Sequence, residues 1–169
     1  MLRNASRIAY RMMTRVSEAL VRGAVLVQPS CSTFNETIES LVDALSHAGG
    51  LSPEFAPRAV TQLREREAIS STAMVEINVS IPHTRLDGLD QITAAIAVSP
   101  RGVYEVTDGL PISIVVLVLT PRDLVNEHLD FLSGLSHLLQ SPQLRRRLQD
   151  AGSADEVLFA IRENERDGA

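Results

Sequence analysis

Between Thr33 and Gly50 apolar residues recur at helical spacing, with Ile38, Leu41, Val42 and Leu45 on one stripe. The box Thr33-x-x-Glu36 precedes them and Gly49-Gly50 stops them, which predicts a capped amphipathic helix. Ser52-Pro53-Glu54 then supplies an N-cap followed by proline at the first helical position. The inward face of this second helix would be Phe55, Ala59, Val60 and Leu63, and the helix ends in the charged run Arg64-Glu65-Arg66-Glu67.

Three apolar segments follow with strand character: 75–81, 92–98 and 112–119. The last is β-branched and continuous enough to be buried on both faces, so it belongs at the centre of a sheet. Ser99-Pro100-Arg101-Gly102 and a turn at Asp108-Gly109 bracket a short extra strand over 103–106, expected at the sheet edge. Thr120-Pro121-Arg122-Asp123 is read as the cap of a long helix whose apolar stripe is Val125, Leu129, Leu132, Leu135 and Leu139. Ser141-Pro142 and the box Ser153-x-x-Glu156 start two shorter helices.

Adjacent strands without intervening helices cannot all be parallel. The order of elements therefore predicts an α/β fold, a three-layer type of sandwich in which a small mixed sheet of about four to five strands is flanked by helices. Residues 15–165 would form this single domain. Residues 1–14, with Arg3, Arg7 and Arg11 but no apolar h-region, are expected to be a non-folding extension or to precede the native start.

Composition narrows the chemistry. A hydrophobic content of 44% with 22% charged residues is that of an ordinary soluble globule. The formal charge of -5 argues against a nucleic-acid binder, and Arg145-Arg146-Arg147 is read as a solvated helix face. All 16 basic residues are arginine, which excludes a Schiff-base lysine and the lysine of a phosphate-binding P-loop. The single Cys31 can form neither an internal disulfide nor a multi-cysteine zinc site, which fits a reducing, cytoplasmic setting. No apolar run approaches the roughly 20 residues that span a bilayer, so membrane insertion is not expected.

The chemistry must then lie with the four histidines. His47 suits the end of the first helix, where a cation meets the helix dipole, and His137 is expected to be partly buried and hydrogen-bonded. His83 follows Pro82 at the end of an apolar segment, where a backbone-held imidazole can still reach solvent. His128 flanks the apolar stripe of a helix that follows the central strand, and strand ends and following helices gather at one sheet edge. It could orient or polarise His83. Neither HExxH spacing nor a cysteine cluster points to a metal, and no G-x-S-x-G elbow points to a serine hydrolase. His83 is better read as a nucleophile, with Arg66, Arg85, Ser71 and Thr72 available to bind an oxyanion such as phosphate.

Arg66-Glu67, Ser71-Thr72, Val79-Ser80-Ile81-Pro82-His83 and Asn126-Glu127-His128-Leu129, in that order, resemble a known family. It is the type 2 enzyme IIA domain of the phosphoenolpyruvate-dependent phosphotransferase system, the fructose, mannitol and nitrogen-regulatory type. The resemblance extends over roughly 16–162 and agrees with the element order above. It implies that His83 accepts a phosphoryl group from the phosphohistidine of an HPr-like carrier. His83 would then pass the group to an enzyme IIB domain or hold it as a regulatory mark. His128 would match the second active-site histidine, and Arg66 with Ser71 or Thr72 the phosphate contacts, with no metal or dissociable cofactor. Since no IIB, IIC or membrane segment accompanies it, a regulatory role is expected. The chain departs from the family pattern S-T-G-x-G-x-G-x-A-I-P-H, because residues 73–78 contain no glycine and the segment is one residue longer. Two other readings stay open: a IIA-like module that no longer transfers and docks to a transporter, kinase or transcription factor, and an unrelated acid-base enzyme using both histidines.

Overall fold

The computed structural model describes residues 14–168; the expected extension 1–14 lies, but for Thr14, outside the described residues. A short helix α1 (Val16–Ala19) leads into strand β1 (Leu20–Val27), and helices α2 (Phe34–His47) and α3 (Ala56–Ile69) follow. The strands are β2 (Ala73–Met74), β3 (Val79–Ser80), β4 (His83–Leu86), β5 (Thr93–Val98), β6 (Tyr104–Val106), β7 (Leu110–Ile112) and β8 (Ile114–Pro121). Helices α4 (Val125–Leu138), α5 (Pro142–Gln149) and α6 (Ala154–Asp167) complete the chain.

Strand β8 is buried along its whole length, as its continuous aliphatic run requires. Its side chains alternate between two cores. Ile114, Val116 and Val118 face α4, α5 and α6, where Phe131, Leu135, Leu148 and Ile161 are 3% exposed or less. Val115, Leu117 and Leu119 face α2 and α3, against Ile38, Leu41, Leu45 and Leu63. Each fully buried aliphatic side chain contributes roughly 1.5–3 kcal/mol, so these two cores dominate the stability.

The main sheet has six strands, in the order β1-β5-β8-β3-β2 with β4 also paired to β8. β5 runs antiparallel to β8, whereas β3 and β4 run parallel to it, so the sheet is mixed as expected. The count exceeds four to five because two strands are weakly encoded. β1 is irregular, with a register shift between Leu20 and Val25. It carries Gly23 where a Cβ would come within 2.7 Å of the Ala48 Cβ, so the strand needs a glycine to approach α2. β4, which lies outside the expected strand segments, is an edge strand, and its turn comes at Asp87-Gly88. Gly88 takes φ +86 with the Phe55 ring against its α-carbon, so a side chain there would clash.

Other expectations shift. The segment 75–81 is not one strand: Val75–Ile77 form a 3-10 turn, Asn78 is left-handed at φ 58, and only Val79–Ser80 join the sheet. The strand near 103–106 is not at the edge of the main sheet but pairs with β7 in a separate two-stranded ladder. Thr120 and Pro121 do not cap α4, because both are consumed by pairing with Arg85 and Leu86, and the N-cap position falls to Leu124 without a side-chain bond. The buried face of α4 is His128, Phe131 and Leu135, while Val125 and Leu129 are exposed. His137 is exposed rather than partly buried.

Ser52 does not cap α3, because Pro53–Phe55 form a 3-10 turn and the α-helix starts at Ala56 after an uncapped Phe55, running on past the charged run to Ile69. Two other anticipated caps are close to expectation. Thr33 Oγ1 accepts from Glu36 N at 3.1 Å and Ser153 Oγ from Glu156 N at 3.2 Å, bonds worth about 1 kcal/mol each. In both helices the glutamate reaches one residue further back than a strict capping box, to Ser32 N and Gly152 N. Among the described residues, no helix is long and apolar enough to cross a membrane.

Candidate active site

His83 opens β4 immediately after the buried Ile81 and Pro82. Pro82 has no N–H to give, but its carbonyl accepts from Val118 N at 2.9 Å, anchoring the start of the strand into the sheet. The His83 Nδ1 lies 2.7 Å from the Ile81 carbonyl. A carbonyl only accepts, so Nδ1 carries the proton and the lone pair of the neutral ring is on Nε2. Burial holds this imidazole below its ordinary pKa, and the Arg66 guanidinium pushes the same way, outweighing the Ile81 bond and the Glu67 carboxylate. At neutral pH the uncharged ring is therefore favoured, with its lone pair on Nε2.

His128 comes from the first turn of α4, where the buried helix face turns it toward β4 and β8. Its ring centroid is 5.5 Å from that of His83, with the planes inclined by 52°. Its Nδ1 is 2.8 Å from Thr120 Oγ1. Burial lowers its pKa to about 4, and the neighbouring His83 and Arg85 add to the effect.

Both histidines border one cleft of about 410 Å³ at the open edge of β4. Gln62, Glu65, Arg66 and Ile69 of α3 form one wall, and Thr84, Arg85 and Arg122 complete it. Three arginines against one glutamate make the cleft a site for an anion. Arg66 is braced across the end of α3 by Nη1 donating to the Ser70 carbonyl at 3.1 Å. Arg85 Nη1 donates to the Arg122 carbonyl at 2.8 Å, and Asp87 holds Arg122 Nε and Arg58 Nη2 through its two oxygens at 2.8 and 2.9 Å.

The structure thus brings together His83, His128, Arg66 and Arg85. Ser71 and Thr72 do not line this cleft. Glu67 accepts from Ser71 Oγ at 2.9 Å and from Thr72 N and Oγ1 at 2.9 and 2.6 Å, so both hydroxyls are spent on shaping the segment. Thr72 Oγ1 is also 3.2 Å from Ser80 Oγ, which ties the two ends of the β2–β3 hairpin together. Asn78 takes the left-handed position that a glycine would fill, and its Nδ2 donates to the Pro111 carbonyl at 2.8 Å. The glycine-free stretch 73–78 is therefore closed by one asparagine.

Several members of the site are not evident from the sequence. Spacing alone suggests a helix cap at Thr120, although the residue continues the alternation of Ile114, Val116 and Val118 and is a hydroxyl on an otherwise aliphatic face. Glu67 lies four and five residues before Ser71 and Thr72, the reach of a carboxylate at a helix end onto the chain that leaves it. Gln62, Glu65 and Arg122 carry no comparable signal.

The chain has relatives among known proteins. Residues 19–164 match the family described as phosphoenolpyruvate-dependent sugar phosphotransferase system, EIIA 2. The fructose-specific EIIABC component of Bacillus subtilis is 29% identical over 153 residues, which is 90% of this chain but 24% of that protein. The chain therefore spans about a quarter of that relative. A nitrogen regulatory protein of Pseudomonas aeruginosa is 27% identical over 88% of this chain and 95% of its own length. The crystal structure of the nitrogen regulatory protein IIA-Ntr from Neisseria meningitidis shares the fold with a TM-score of 0.71 and 28% identity, covering 86% of this chain and 98% of that one. With matched residues reaching from the end of α1 into α6 and enclosing both histidines, the chain belongs to the type 2 EIIA family of the phosphoenolpyruvate-dependent sugar phosphotransferase system.

Proposed function

We propose that the protein is a cytoplasmic phosphocarrier of this system, in which His83 Nε2 accepts a phosphoryl group from an HPr-like carrier. It then passes the group to an EIIB-type domain or retains it as a regulatory signal. One observation carries the reading: the Nδ1–H bond to the Ile81 carbonyl leaves Nε2 as the nucleophilic atom of a ring that borders an arginine-lined cleft. Little bond-making falls to the protein in phosphoryl transfer, where positioning and charge stabilisation do most of the work. Arg66 and Arg85 are assigned to the phosphoryl oxygens and His128 to their near side, while Ser71 and Thr72 support the segment through Glu67. The domain is taken to be 15–165.

The test is incubation with phosphoenolpyruvate, enzyme I and HPr, followed by intact-mass measurement. An acid-labile, base-stable gain of one phosphate is expected in the parent and not in His83→Ala. An unlabelled parent, or a fully labelled variant, overturns the reading.

A second reading has one observation in its favour. The segment 73–78 has no glycine and turns through a 3-10 helix, so a non-transferring module that docks to a transporter, kinase or transcription factor would account for that change. It predicts no mass gain in the same assay.

A further inference from the structure

One buried hydroxyl is unaccounted for by packing. Thr120 is 0% exposed, on the β8 face that otherwise carries Ile114, Val116 and Val118. Its Oγ1 is 2.8 Å from His128 Nδ1, and that nitrogen is the hydroxyl's one hydrogen-bond partner among the described residues.

Two proton arrangements are compatible with that distance. If Nδ1–H donates to Oγ1, the hydroxyl hydrogen is left buried without an acceptor, and His128 turns a lone pair on Nε2 toward the cleft. A lone pair there would repel a phosphoryl oxygen. If the hydroxyl donates to Nδ1, both polar groups are satisfied and the proton of the neutral ring must sit on Nε2. An unsatisfied buried donor is penalised in a way that a satisfied pair is not, so the second arrangement prevails.

We propose that Thr120 is a positioning residue whose hydroxyl fixes His128 as the Nε2–H tautomer, so that His128 offers a hydrogen-bond donor to the phosphoryl group arriving at His83. The inference rests on the phosphocarrier reading for the identity of the anion, but the tautomer itself does not. In the transfer, the His83 Nε2 lone pair forms the new N–P bond. The N–P bond to the carrier's imidazole breaks, and its electron pair returns to that nitrogen. The carrier's ring leaves as neutral imidazole with its other nitrogen protonated, and His83 keeps its Nδ1 proton on the Ile81 carbonyl. His128 keeps its own proton throughout and donates a hydrogen bond to an oxygen whose share of charge grows in the transition state. Thr120 touches none of the reacting atoms and acts through the ring it orients.

Thr120→Val is nearly isosteric and removes the hydroxyl, whereas Thr120→Ser keeps it. Nitrogen-15 spectra of histidine-labelled, unphosphorylated protein are expected to show His128 with a protonated Nε2 in the parent and the serine variant. In the valine variant they should show a mixture or a protonated Nδ1. Transfer from phosphorylated HPr should slow by roughly tenfold or more in Thr120→Val, in keeping with the loss of one aimed donor, while circular dichroism shows the fold retained and any fall in denaturation midpoint stays within what one lost hydrogen bond explains. Thr120→Ser should restore the rate. A parent His128 protonated on Nδ1, or a valine variant with unaltered tautomer and rate, overturns the inference. A parent that accepts no phosphoryl group overturns the role in transfer along with the phosphocarrier reading, while the spectra still decide the tautomer separately.

Discussion

His83 and His128 approach each other to 5.5 Å between ring centroids, and each has its Nδ1 engaged, one by the Ile81 carbonyl and the other by the Thr120 hydroxyl. Two uncharged rings at this separation respond strongly to any charge placed between them. A phosphoryl group on His83 Nε2 would favour the protonated form of His128, reversing the effect of burial that lowers its pKa to about 4. The pKa of His128 is expected to rise by about one pH unit or more on phosphorylation, since an anion within reach commonly moves a neighbour by that much. A proton NMR titration of both forms measures it. An unmoved pKa would place His128 away from the phosphoryl group.

The same depressed value makes the fold sensitive to acid. His128 titrates at about 4 when folded and at 6.5 as the ordinary value, so the unfolded chain binds more protons between these limits. Stability is complete above the higher value and declines as pH falls through the window. His83, also lowered by burial, adds in the same direction. Each pH unit between the folded and unfolded values is worth about 1.4 kcal/mol, less some screening by the water of the open cleft. From His128 alone the loss should therefore be on the order of 2–3 kcal/mol by pH 4. Urea denaturation at a series of pH values tests it, and His128→Gln should flatten the dependence. An equally steep curve in that variant would assign the acid sensitivity elsewhere.

Asn78 predicts an inverted mutational order. Alanine at φ 58 meets the left-handed penalty and also forfeits the bond to the Pro111 carbonyl, whereas glycine forfeits only the bond. Asn78→Ala should lose roughly 2 kcal/mol and Asn78→Gly about 1 kcal/mol in chemical denaturation. Alanine equal to or better than glycine would mean that the turn does not hold this backbone in solution.

Leu129 is 61% exposed beside His128, and Ile69 is 83% exposed on the α3 wall of the cleft. Apolar side chains left open around a charged site suit a docking partner. Leu129→Asp should leave stability within about 0.5 kcal/mol, as surface changes do, and raise the KM for phosphorylated HPr with little change in kcat. Equal KM values would show that the carrier does not press on this helix turn.

Much of the architecture was legible because burial leaves a mark on composition. Most of the run 112–119 is the central strand it promised, although Ile112 pairs with Tyr104 in the separate ladder and the strand itself starts at Ile114. The helix over Phe34–His47 carried both its stripe and its cap, and that over Ala154–Asp167 its cap. β4 left no such mark: an edge strand with Thr84 and Arg85 half in solvent has a turn's composition, so its sequence reads as a loop. The face of α4 is ambiguous for a related reason. Val125, Leu129 and Leu132 fit a helical stripe as well as His128, Phe131 and Leu135 do, and only tertiary contacts choose between two such phases. Single residues were legible where local sequence surrounds them, as with Pro82-His83. They were not where the partner is distant, as with Thr120, whose meaning depends on a helix turn that follows it in sequence but returns over it in space.

The parallel pairing of β4 with β8 sets His83 beside Val118 and Arg85 beside Thr120. Because side chains alternate across a strand, a slip of one position would carry His83 and Arg85 to the opposite side and bring the fully buried Leu86 out of its core. Leu86 is thus a lock on the phase of the strand, and the hydrophobic energy that seats it also sets where the imidazole stands. A defect in the core under β4 should remove the chemistry together with the fold, even though it touches none of the reacting groups.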